Sequence, residues 1–93
     1  MDITLEIPEY SPERGFEFKW QYYYGIKVEI TDDKEVIISA NKDGLISLAT
    51  HLLTLAQDSI PPTDGHFHLT EYDALEEGSS ELIVQKMPDV DTE

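Results

Sequence analysis

Ninety-three residues carry twenty acids against six bases, a formal net charge of −14, with no cysteine. That length is one domain with a modest core, and the missing thiol excludes disulfides, thiolate metal sites and a Cys nucleophile. The charge repels nucleic acid and anionic membranes and attracts basic partners.

The excess is uneven. Met1–Gln57 holds ten acids and five bases, Asp58–Glu93 ten acids and one base, and no Lys or Arg lies between Lys42 and Lys86.

The N-terminal MDITLEI alternates, with Ile3, Leu5 and Ile7 on one side and Asp2, Thr4 and Glu6 on the other. That is the period of a half-buried strand. It lacks the basic start and apolar run of a signal peptide, and no stretch approaches the ~20 residues of a membrane span, so the chain is expected in the cytoplasm. Pro8 and Pro12 bracket a turn-rich link ending at Gly15.

FEFKWQYYYGIKVEI follows, with Phe16, Phe18, Trp20, Tyr22, Tyr24, Ile26, Val28 and Ile30 at its even positions. One straight strand of this length would span about 50 Å, too long for so small a domain. The segment must bend or turn near Tyr23 to Gly25, as a bent strand or as a hairpin. The aromatic stripe would need a basic groove to stack nucleic-acid bases; in an acidic domain it reads as the core face of a sheet, with Tyr23 exposed as a contact residue. TDDKE reads as a hairpin loop and VIISA, Val36 to Ala40, as a central strand.

NKDGLISLATHLLTLAQD predicts the one helix. On a helical wheel Leu45, Ile46, Leu48, Ala49, Leu52, Leu53, Leu55 and Ala56 fall on one half, expected to face the core. Ser47, Thr50, His51, Thr54, Gln57 and Asp58 fill the other. Asn41 or Asp43 is the N-cap, and Gly44 sits in the first turn at some cost in propensity. Pro61 and Pro62 stop the helix. HFHLT is a short strand with Phe67 and Leu69 on the core side and His66 and His68 opposite. EYDALEEGSS is an acidic loop with room for one helical turn, ELIVQKM the last strand, and the terminal PDVDTE a frayed tail.

The pattern predicts an α+β fold: a mostly antiparallel sheet of about five to six strands with one amphipathic helix packed on one face, in the order β-β-β-β-α-β-β. A single domain over 1–87 carries the tail 88–93.

His66 and His68 share a strand face and could ligate one metal, with His51, Asp64 or Glu71 as third ligand. No spacing motif fixes that third ligand, and exposed His-x-His pairs are usually solvated or bonded to neighbouring side chains, so no metal is expected. No serine lies in a nucleophile elbow and no glycine-rich phosphate loop occurs. Neither catalytic residues nor a cofactor site is expected.

Asn41, Gly44-Leu45, Leu48-Ala49, Leu52-Leu53 and Leu55-Ala56, followed by His66-x-His68-Leu69, Tyr72, Leu75, Gly78-Ser79 and Glu81-Leu82-Ile83, resemble a family of bacterial polymorphic-toxin immunity proteins. The family pattern tends to place an acid directly after His-x-His-Leu; here Thr70 stands there and Glu71 follows. The resemblance covers about the C-terminal half. It implies a small α+β protein that neutralises a cognate toxin by binding it, a nuclease with a basic cleft being one such toxin.

The residues expected to bind that partner are Asp64, His66, His68, Glu71, Asp73, Glu76 and Glu77. Neither nucleic acid nor membrane is an expected partner, and a homodimer stays open. The alternatives are an acidic accessory module of a larger assembly, and a small metal-dependent enzyme using His66 and His68.

Overall fold

The structure, a computed structural model, describes residues 1–62 and 65–89. IKVEI and VIISA meet across the Thr31–Glu35 turn as two antiparallel strands, β1 (Ile26–Ile30) and β2 (Val36–Ala40). Ile26 lies opposite Ala40, Val28 opposite Ile38 and Ile30 opposite Val36. Thr31 N–H donates to the Glu35 carbonyl at 2.9 Å, closing the turn.

Asn41 then caps α1 (Lys42–Leu55), its carboxamide oxygen accepting from Gly44 N–H at 2.7 Å. The same oxygen accepts from Gly25 N–H at 2.9 Å, and the amide nitrogen donates to the Tyr23 carbonyl at 2.8 Å. One side chain thus satisfies an orphan N–H of the helix and ties the helix start to the entry of β1. A second hairpin pairs β3 (His66–Leu69) with β4 (Leu82–Gln85), His66 opposite Gln85 and Leu69 opposite Leu82. The core is Ile26, Val28, Leu55, Ile60, Phe67, Leu69 and Leu75, with Trp20, Tyr24, Leu48 and Val84 among the residues packed around it.

The α+β class holds, with fewer strands than expected: among the described residues there are four, in two two-stranded antiparallel sheets, ordered β-β-α-β-β. Met1–Ile7 and Phe16–Trp20 form no ladder. Side chains from α1 and its exit instead hold backbone groups beside these two segments. Ser47 Oγ accepts from Gln21 N–H at 2.7 Å, and Asp43 Oδ2 accepts from Tyr23 N–H at 3.2 Å. Gln57 accepts from Tyr10 N–H at 3.2 Å and donates to the Pro8 carbonyl at 2.8 Å.

The long aromatic segment breaks at Tyr22–Tyr23, where Tyr24 N–H reaches the Gln21 carbonyl at 3.3 Å. Trp20 and Tyr24 stack across that turn at 4.3 Å. Of the aromatic stripe expected on the core face, Tyr22 is exposed and Phe18 is 39% exposed, whereas Tyr23 is exposed as expected. The turn ends the parity at Tyr22.

Two further expectations are corrected. VIISA is an edge strand, since β1 is its sole partner among the described residues. The helix, moreover, is turned the other way. Ser47, Thr50, His51 and Thr54 are buried, and His51 is 0% exposed, whereas Leu45 is 55% exposed with Leu52 and Leu53 also outside. The buried hydroxyls are satisfied close to home: Thr50 Oγ1 donates to the Ile46 carbonyl at 2.8 Å and Thr54 Oγ1 to the Thr50 carbonyl at 2.7 Å. These two hydroxyls can be buried at little cost, whereas the ring nitrogens of His51 have no hydrogen-bond partner among the described residues. Phe18 and Trp20 lie against this face, with ring centroids 5.0 and 4.3 Å from that of His51.

Candidate partner-binding site

The acidic loop between β3 and β4 is built from its own backbone outward. Ala74 and Leu75 N–H donate to the Thr70 carbonyl at 3.0 and 2.9 Å, the single turn the sequence allowed. Leu75 enters the core. The loop then runs along the edge of β1 that β2 leaves free: Glu76 N–H donates to the Ile26 carbonyl and Ser80 N–H to the Val28 carbonyl, both at 2.8 Å. Ser79 Oγ accepts from Val28 N–H at 3.1 Å. Gly78, at φ 86°, takes the left-handed conformation that turns the chain toward β4.

The carboxylates divide by role. Asp73 Oδ1 accepts from Thr70 N–H and Glu71 Oε2 from Gly78 N–H, both at 2.8 Å, so these two shape the loop. Glu81 Oε2 lies 2.7 Å from His68 Nδ1. Glu76 and Glu77 are exposed, and their carboxylates have no ion-pair or hydrogen-bond partner among the described residues. The backbone that carries them is bonded to β1, and the carboxylates themselves are not neutralised by a described partner.

His66 and His68 lie on the exposed side of β3, their rings 5.0 Å apart. Asp64, the remaining expected contact residue, lies outside the described residues. Of the third ligands considered, His51 does not join the two histidines: it is enclosed behind Phe67, on the opposite face of β3, with the His51 and Phe67 ring centroids 6.0 Å apart. Among the described residues no group of three or more His, Asp or Glu could hold a metal ion. Burial lowers the His51 pKa from 6.5 to about 4, so this imidazole is neutral.

Two features were missed from the sequence. Tyr72 stands almost fully exposed in the acidic loop, and an aromatic beside unpaired carboxylates is the composition of a contact surface. Lys86, the one base of the C-terminal stretch, is spent on structure: its Nζ donates to the Gln57 and Ile60 carbonyls at 2.6 and 3.0 Å. It thereby caps the chain leaving α1. Among the described residues no helix is long and apolar enough to cross a membrane.

The sequence profile of a family described as Immunity protein 32 matches residues 35–87, from the start of β2 through the acidic loop to just beyond β4. No curated protein and no solved structure matches the chain.

Proposed function

The chain belongs to the Immunity protein 32 family, and from that premise we propose that it binds a cognate bacterial toxin in the cytoplasm and neutralises it without catalysis. The observation that carries this reading is the pair Glu76 and Glu77, unpartnered and exposed on a loop bonded to β1 at both ends. Such preorganised charge steers a basic partner and costs little ordering entropy on binding. His66, His68 and Tyr72 would complete the contact, with Glu71 and Asp73 holding its shape. A nuclease with a basic cleft is the partner class that fits best, the carboxylates standing where substrate phosphates would lie.

Co-expression with the toxin encoded beside it tests the reading. Growth should be restored and a stable complex should elute on size-exclusion chromatography. Neither rescue nor complex with any neighbouring toxin would overturn it.

A further inference from the structure

β2 has no outer neighbour among the described residues, and its apolar side chains stand open: Val36 is 62%, Ile37 45% and Ile38 40% exposed. The bonds at the ends of the hairpin fix which backbone groups are free. Asn41 N–H donates to the Gly25 carbonyl at 3.1 Å and Thr31 N–H to the Glu35 carbonyl at 2.9 Å. By the alternation of an antiparallel ladder, Glu35, Ile37 and Ser39 bond to β1, while Val36 and Ile38 point N–H and C=O outward. Edge strands usually carry a lysine, a proline or a bulge against pairing. Val36–Ala40 contains no charge and no proline, and pairs residue for residue with β1.

We propose that this edge pairs with the same edge of a second copy of the chain, antiparallel and centred on Ile37. In that register Val36 faces Ile38 of the second copy, with their outward backbone groups opposed, and Glu35 faces Ser39 of the second copy. Lys42 of each copy is carried toward the Asp32–Asp33 turn of the other, so the charges flanking the strands are complementary. The region is also far less acidic than the C-terminal stretch: Lys27, Lys34 and Lys42 offset three of the five acids between Ile26 and Gln57. A −14 molecule can therefore approach its own copy here with little local repulsion, while the acidic loop, on the far edge of β1, stays free. This assembly is independent of toxin binding and is read on the chain alone.

The test uses the absence of native cysteine. In the proposed register residue 37 faces itself in a non-hydrogen-bonded pair, with Cα atoms about 4.5 Å apart, within reach of a disulfide. Mild oxidation of Ile37→Cys should give a covalent dimer, and Ile38→Cys alone should give far less. Unmodified chain at roughly 0.1 mM should sediment as a dimer, a micromolar-range association that tightens as salt screens the net charge.

Ile38→Pro removes an outward N–H and no bond to β1, and should return the chain to monomer; if it disturbs folding by circular dichroism, Ile37→Lys serves instead. A monomer at that concentration, open-ended aggregates, or cross-linking of Ile38→Cys as readily as Ile37→Cys would overturn the proposal.

Discussion

His51 and Trp20 stand edge to face, ring centroids 4.3 Å apart and planes at 77°, and neither imidazole nitrogen has a hydrogen-bond partner among the described residues. Around that contact the helix buries its polar side. The consequence is a pH dependence with a definite sign. The folded-state pKa is lowered from 6.5 to about 4, so the unfolded chain binds the proton first. Stability is whole above the ordinary histidine pKa and falls as pH drops toward about 4, by up to roughly 3 kcal/mol.

Urea unfolding between pH of about 7 and 5, above the ordinary carboxylate range, should show this slope. His51→Leu should abolish it and unfold no more readily at neutral pH, because it removes two unpaired buried nitrogens. An unchanged slope in that variant would assign the pH dependence elsewhere.

Which face of α1 is buried can be tested by two substitutions of opposite expectation. Leu52→Ala, at an exposed position, should cost less than about 1 kcal/mol, against the 2–5 kcal/mol of a buried leucine. Ser47→Ala deprives Gln21 N–H of its acceptor and should cost roughly 1–3 kcal/mol despite gaining helix propensity. Denaturant midpoints of both variants give the answer, and the reverse order would restore the leucine face to the core.

Gly44 supplies a third prediction. Propensity alone would favour alanine there by about 1 kcal/mol. A Cβ at this position, however, would strike the Gly25 carbonyl and press on Ile26 and Ala40 side-chain atoms at 3.0 and 3.1 Å. Gly44→Ala should therefore lower stability, by roughly 1–3 kcal/mol, in thermal or denaturant melts. A gain would mean that the helix start stands farther from β1.

The sequence made the local elements readable because their signals are local. Alternation marked β1 and β3, the Thr31–Glu35 turn joined β1 to β2, and Asn41 capped the helix. The side of β3 occupied by His66 and His68 followed from the pleat. Facts set by distant neighbours were not readable. The anchors at Ser47 and Gln57 hold Gln21, Tyr10 and Pro8, backbone groups some 26 to 49 residues away along the chain, and no local pattern announces them. The amphipathic pattern of α1 gave a helix but the wrong buried face, because an aromatic segment earlier in the chain covers its small polar residues. At the candidate site the acidic loop was visible as composition. That Glu71 and Asp73 are used internally while Glu76 and Glu77 are not became clear only from the bonds.

The central claim, capture of a basic toxin by the loop carboxylates, is tested most directly by stopped-flow association with the toxin encoded beside the chain, for wild type and for the Glu76→Lys/Glu77→Lys double variant, across a range of salt. Both substitutions lie on the surface and should leave the circular dichroism spectrum unchanged. The wild-type association rate should fall steeply with salt, and the double variant should be slower by about tenfold or more at low salt. Association of the double variant at the wild-type rate, with the wild-type salt dependence, would contradict it.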